Sequence, residues 1–184
     1  MKRVAVFCGS RDGNSPAFTE AANRLGQVIA ERGMTLVYGG SQTGLMGAVA
    51  NAALAGGADV IGVLPHSLAD RERAHTNLTE LHLVDSLAQR KQLMADHADA
   101  FLALPGGFGT LDEVFEMITW TQLGVQRKAT GLVNTDGFFD HLMASIYWQV
   151  DEGFITQSQL DAIVIAEDPG ATLDQLVAAD SRMS

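Results

Sequence analysis

The chain has 184 residues, 47% of them hydrophobic and 18% charged, a balance that suits one folded domain over residues 1–184 and excludes a disordered segment. Its formal net charge of -10 at pH 7 excludes nucleic acid and acidic membranes as expected partners, although backbone donors can still grip an isolated phosphate. The single cysteine, Cys8, excludes an intrachain disulfide, and no apolar run reaches signal-peptide or membrane-spanning length, so the expected location is cytoplasmic.

Residues 4–7 read as a buried strand that runs into the turn Cys8-Gly9-Ser10 and on through Arg11-Asp12-Gly13-Asn14. Ser15 as N-cap and Pro16 in the first turn open a helix expected to run to Arg32, with Gly33 as its stop. Residues 35–38 are a second strand, and Gly39-Gly40-Ser41-Gln42-Thr43-Gly44 leads into a helix over 45–55. A third strand, 60–64, is closed by Pro65, and the polar stretch 67–77 reads as a surface loop or flap. A strand over 81–84, a helix over 86–96 and a buried strand over 100–104 follow. Thr110 is expected to open a helix over 110–123, because Leu111, Val114, Phe115, Ile118 and Leu123 recur at helical spacing. Residues 130–133 are the next strand and 138–152 the next helix. Thr156-x-x-Gln159 and Thr172-x-x-Gln175 have the form of capping boxes for two short final helices.

This alternation predicts an α/β, Rossmann-like, doubly wound, mostly parallel sheet with helices on both faces. Ligands of such sheets bind beyond the carboxyl ends of the strands. Three glycine-bearing turns lie there: Cys8-Gly9-Ser10, Gly39-Gly40-Ser41 and Pro105-Gly106-Gly107. The last is the most informative. A strand, a glycine-rich turn and a helix N-terminus, Pro105-Gly106-Gly107-Phe108-Gly109-Thr110, make an anion site, with the Glu113 carboxylate expected in the first helical turn beside it. A second reading of Thr110-x-x-Glu113 is a capping box, but a cap alone does not require three glycines.

Other chemistries lack their residues. Gly9-Ser10-Arg11-Asp12-Gly13 departs from the dinucleotide fingerprint, and no glycine turn carries the Walker lysine. The histidines, His66, His75, His82, His97 and His141, show no metal-ligand spacing, so no metal is expected. Cys8 at a strand end reads as a buried structural thiol. Lys2, Lys91 and Lys128 are the only lysines, none in a motif that would hold pyridoxal phosphate as a Schiff base, and no cofactor is expected. Arg90-Lys91 falls on the helix before the motif strand, where it is either a solvated face or part of a site; Glu116, one turn beyond Glu113, has the same two readings.

Pro105-Gly106-Gly107-Phe108-Gly109-Thr110-Leu111-Asp112-Glu113 resembles the PGGxGTxxE signature of the LONELY GUY (LOG) family of cytokinin riboside 5′-monophosphate phosphoribohydrolases. The resemblance extends to Cys8-Gly9-Ser10, Tyr38-Gly39-Gly40, Gly44-Leu45-Met46-Gly47, Ile118-Thr119-Trp120 with Gln122-Leu123-Gly124, and Glu152-Gly153-Phe154-Ile155, covering about residues 2–165. It implies hydrolysis of a purine nucleoside 5′-monophosphate, AMP or N6-modified AMP, to free base and ribose 5-phosphate, by a homodimer with a small-molecule substrate. It also implies Arg90 and Glu113 as catalytic residues. Substrate binding is implied for Ser10, Gly39, Gly40, Met46, Lys91, Gly106, Gly107, Phe108, Gly109, Thr110, Leu111, Asp112 and Thr119, with backbone donors of Gly107, Gly109 and Thr110 on the phosphate. The sequence departs from the family's Met-His-x-Arg-Lys segment at Leu87-Ala88. The alternative is a non-catalytic nucleotide or cofactor carrier of the same fold.

Overall fold

The computed structural model describes residues 1–69 and 73–183. Its strands are β1 (Arg3–Phe7), β2 (Thr35–Tyr38), β3 (Val60–Pro65), β4 (Glu80–Val84), β5 (Ala100–Ala103), β6 (Thr130–Val133) and β7 (Ile163–Ala166). Its helices are α1 (Pro16–Glu31), α2 (Gly44–Ala55), α3 (Leu87–His97), α4 (Phe108–Gln122), α5 (Asp140–Asp151), α6 (Gln157–Leu160) and α7 (Pro169–Met183). The 7-stranded sheet has the order β4-β3-β2-β1-β5-β6-β7, and every pairing is parallel. The expected fold class is the observed one.

Alternation along each strand sorts the core into two layers. Val4, Val6, Leu36, Tyr38 and Leu102 pack under α1, α2 and α7. Ala5, Phe7, Val37, Phe101 and Leu132 pack under α3, α4 and α5. Leu25, Ile29, Leu36 and Leu102 are wholly buried, and each contributes about 1.5–3 kcal/mol relative to exposure. Chain order reverses between β1 and β5: from β1 the sheet grows one way through β2, β3 and β4, and the other way through β5, β6 and β7. The turns after β1 and β5 therefore flank a crevice at the switch point, where open α/β sheets bind ligands.

Most expected elements are present within a residue or two, including Ser15 as N-cap of α1, where its hydroxyl accepts from the Ala17 N–H. Two expectations are corrected. β7 is a strand that the sequence reading passed over, and the final helix is long rather than short. α7 begins at Pro169, where Asp168 accepts from the Ala171 N–H at 2.8 Å. Thr172 thus lies inside the helix, donating to the Asp168 carbonyl instead of capping. The Thr156–Gln159 capping box is present at α6.

The stretch expected as a flap is partly laced down, with residues 70–72 outside the described residues. His66–Leu68 forms a 3-10 turn. Further on, the Gln42 N–H donates to the Arg73 carbonyl and the His75 N–H to the Gly40 carbonyl, which ties this strap to the turn after β2. His75 is buried, its ring bonded to Asn51 Oδ1 at 3.0 Å, and burial pushes its imidazole below the ordinary value.

Candidate active site

The crevice at the switch point holds a cleft of about 440 Å³, within the range of small-ligand sites. Its walls come from the turn after β1, the start of α2, Arg90 of α3, the turn after β5 with the start of α4, and Phe138. The loops are stitched together: the Gly9 N–H donates to the Pro105 carbonyl at 3.1 Å, and the Met46 N–H to the Gly9 carbonyl at 3.3 Å.

Arg90 forms the floor. Ser86 caps α3 by accepting from the Gln89 N–H, which aims the next residue inward, and Arg90 is only 8% exposed. Of the two readings of the Arg90-Lys91 pair, the solvated face fails for Arg90. Its Nε donates to the Val63 carbonyl at 3.1 Å and its Nη2 to the Gly39 carbonyl at 3.1 Å, so the guanidinium caps backbone at the carboxyl ends of β2 and β3. A side chain at Gly39 would collide with that guanidinium, which is the physical reason for glycine there. Nη1 lies 3.7 Å from Glu113 Oε1, a charge contact rather than a hydrogen bond.

Glu113 is 9% exposed and sits in the second turn of α4, not the first. The helix starts at Phe108, and its N-cap is Gly107 with no side-chain cap. Thr110 is therefore not the N-cap, and the Thr110–Glu113 capping box is absent. Thr110 is instead buried against Gly106, where any Cβ would strike its hydroxyl. The amide groups of Phe108, Gly109 and Thr110 occupy the first turn, where N–H groups have no intrahelical acceptor and the helix dipole favours an anion.

Residues 46–176 match the family model described as "Possible lysine decarboxylase". The chain is 47% identical over 176 residues to the cytokinin riboside 5′-monophosphate phosphoribohydrolase LOG7 of Arabidopsis thaliana, covering 96% of this chain and 81% of that one. It is 47% identical over 166 residues to the LOG enzyme of Oryza sativa subsp. japonica, covering 90% and 69%. The chain belongs to the LOG family. Its fold is also that of the molybdenum cofactor binding protein of Rippkaea orientalis, with a TM-score of 0.72 at 22% identity over 100% and 99% of the two chains. At that identity the likeness shows the fold alone.

The family-implied residues fall into two groups. Ser10, Met46, Arg90, Gly106, Gly107, Phe108, Gly109, Thr110 and Glu113 line the cleft. Gly39, Gly40, Lys91, Leu111, Asp112 and Thr119 lie outside its lining. Gly39 and Gly40 act beneath it, through their carbonyls to Arg90 and His75. Lys91 points away, bonded to Asp112 and Glu116 at 2.9 Å each. Burial works to lower its ammonium, and the bonds to Glu116 and Asp112 outweigh this and hold it above the ordinary value. Glu116 is thereby a partner of Lys91 outside the cleft lining. Thr119 is exposed three turns along α4, donating to the Phe115 carbonyl at 2.7 Å. The family departures, Leu87 and Ala88, are both exposed on the first turn of α3, away from the cleft.

Cys8 lines the cleft but is a neutral thiol. Burial pushes it up and the Glu113 charge adds to this, with Arg90 opposing weakly. Of the lysines, Lys128 donates to the Ala95 carbonyl over the Phe101 ring, and no lysine lines the cleft among the described residues. A Schiff-base decarboxylase has no nucleophile here. Sequence reasoning missed Arg11, Asp12, Phe18 and Phe138, which also line the cleft. Phe18 and Phe138 pack edge to face at 5.6 Å. Arg11 and Asp12 had a usable signal, lying in a turn at a strand's carboxyl end; the two aromatics had none that separates them from core.

Proposed function

We propose that this chain hydrolyses the N-glycosidic bond of an N6-modified adenosine 5′-monophosphate, a cytokinin riboside 5′-monophosphate, releasing free base and ribose 5-phosphate. The observation that carries the reading is the buried Arg90–Glu113 pair beside the uncapped N-terminus of α4. Curated relatives at 44–47% identity over most of the chain are named for that reaction.

The 5′-phosphate sits at the start of α4, on the backbone donors of Gly107, Gly109 and Thr110. Breaking the C1′–N bond sends its electron pair to the base and leaves positive charge on the ribose ring. Water adds its oxygen to C1′, and its proton balances the departing base. Glu113 meets the ribosyl charge: a carboxylate about 4 Å away at an effective dielectric near 20 supplies roughly 4 kcal/mol, about a thousandfold in rate. Arg90 is a positioning residue. Two of its nitrogens are committed to backbone carbonyls, so it holds the carboxylate in place from behind. Met46, Phe18 and Phe138 give the cleft apolar surface for a purine.

The active species is a homodimer acting on a small nucleotide in the cytoplasm. Support for the dimer is the apolar surface of one layer: Leu87 of α3, and Phe108, Phe115 and Leu123 along α4, are all exposed. The carrier reading rests on fold likeness alone, and a carrier has no need of a buried carboxylate–guanidinium pair at the phosphate site.

Purified protein given AMP and N6-isopentenyl-AMP is expected to release base and ribose 5-phosphate from at least one. Little release is expected from the matching nucleosides. Binding without base release favours the carrier, and equal turnover of nucleosides removes the phosphate role of the glycine loop.

A further inference from the structure

We propose that Arg11 is the cation that clasps the 5′-phosphate from the wall opposite α4, and so sets the preference for nucleotide over nucleoside; this rests on the phosphate-at-α4 reading above.

Among the described residues, four charged side chains line the cleft: Arg11, Asp12, Arg90 and Glu113. Arg90 is spent on the Val63 and Gly39 carbonyls and offset by Glu113. Lys91, the nearest other cation in the family motif, is tied to Asp112 and Glu116 outside the lining. Arg11 differs from both: among the described residues its side chain makes no hydrogen bond or ion pair, not even with Asp12 beside it. It is an exposed guanidinium that lines the same cleft as the bare N-terminus of α4.

Its backbone is packed in place, while its side chain is unbonded among the described residues. The Arg11 amide packs against Gly44, where any Cβ would collide with it, and Gly9 is bonded to the Pro105 carbonyl beside the phosphate turn. The loop therefore presents Arg11 from one side while α4 presents amides from the other. A nucleoside monophosphate brings close to two negative charges at pH 7, and a helix N-terminus answers only about half a charge. In a chain of net charge -10, an exposed planar donor that matches phosphate geometry supplies the rest.

The test uses Arg11→Gln and Arg11→Lys, with Arg24→Gln, an exposed α1 arginine away from the cleft, as the control for net charge. Ribose 5-phosphate binding is measured by calorimetry, and KM and kcat with the better of AMP and N6-isopentenyl-AMP. Arg11→Gln is expected to weaken ribose 5-phosphate binding about tenfold to a hundredfold, the size of one charge-assisted hydrogen bond, and to raise KM similarly with kcat within about twofold. Arg11→Lys recovers part of the loss, and Arg24→Gln loses nothing. Unchanged ribose 5-phosphate affinity in Arg11→Gln overturns the proposal, as does a fall in kcat alone, which marks a structural role. A wild type that binds ribose 5-phosphate but releases no base sinks the hydrolase reading, while the clasp still stands or falls on the Arg11→Gln titration. A wild type that does not bind ribose 5-phosphate sinks the clasp itself.

Discussion

At Glu113, charge and shape can be separated. Glu113→Gln keeps the size of the side chain and removes the charge 3.7 Å from Arg90 Nη1. Because Glu113 lies in the second turn of α4, no helix cap is lost. Turnover is expected to fall by roughly a hundredfold or more, with the melting temperature within a few degrees of wild type. Turnover near wild type rules out the charge role. Arg90 and Lys91, adjacent in sequence, separate in the same way. Arg90→Lys cannot reproduce the fork that serves both the Val63 and Gly39 carbonyls, so a large loss of activity is expected. Lys91→Arg should leave kinetics close to wild type, since its partners Asp112 and Glu116 accept either cation. Equal harmlessness of the two changes would dismiss Arg90 from the site. The motif made both catalytic candidates legible in the sequence, but not their setting. A threonine at a helix start looks like a cap until Gly106 is seen to need it as packing. An arginine beside a lysine looks solvated until backbone carbonyls from two strands reach it.

Elements were easier to read where apolar runs were bounded by glycine or proline. Thr35–Tyr38 and Thr130–Val133 fall where the pattern put them. β7 escaped because Ile163-Val164-Ile165-Ala166 is short and stands between two apparent caps. The second of those caps was misleading: Asp168-Pro169 carries the same cap-plus-proline signature as Ser15-Pro16 and starts the helix earlier. The strap at 73–75 was legible only as polar, since its attachment is through backbone bonds to the Gly40–Gln42 turn. That attachment predicts a pH dependence. The His75 imidazole is held below its ordinary value by burial, so the folded state favours the neutral ring. Its contribution to stability is complete above the unfolded value of about 6.5 and is lost as pH falls through the folded value. Melting temperature should therefore drop between pH 7 and pH 5, and His75→Gln should flatten that drop. Parallel curves for the two proteins would assign the acid sensitivity elsewhere.

At the scale of the molecule, alternation of strands and helices placed ligands beyond the carboxyl ends of the strands, and the sheet order, which grows both ways from β1, puts the cleft at the switch point between β1 and β5. The outer surface was not legible in that way. A sequence pattern separates apolar from polar positions, but Phe115 and Leu123 belong to the same apolar helical series as buried Val114. Their exposure supports the proposed dimer, and magnitudes decide how large its face must be. Burying a Leu or Phe side chain contributes about 1.5–3 kcal/mol, whereas association costs about 4–15 kcal/mol in lost freedom. Phe115 and Leu123 alone fall short of most of that range, so the face has to include Phe108 of α4 and Leu87 of α3 as well. The bridge from Lys91 of α3 to Asp112 and Glu116 of α4 makes these two helices neighbours, which keeps their exposed apolar residues in one layer. Sedimentation at micromolar concentration is expected to give twice the chain mass for wild type. Leu87→Glu combined with Leu123→Glu should give the mass of a single chain with an unchanged circular dichroism spectrum, because both side chains are exposed within the protomer, at 55% and 73%. A wild type that sediments as one chain, or a double variant that remains paired, would place the contact on another face or abolish it.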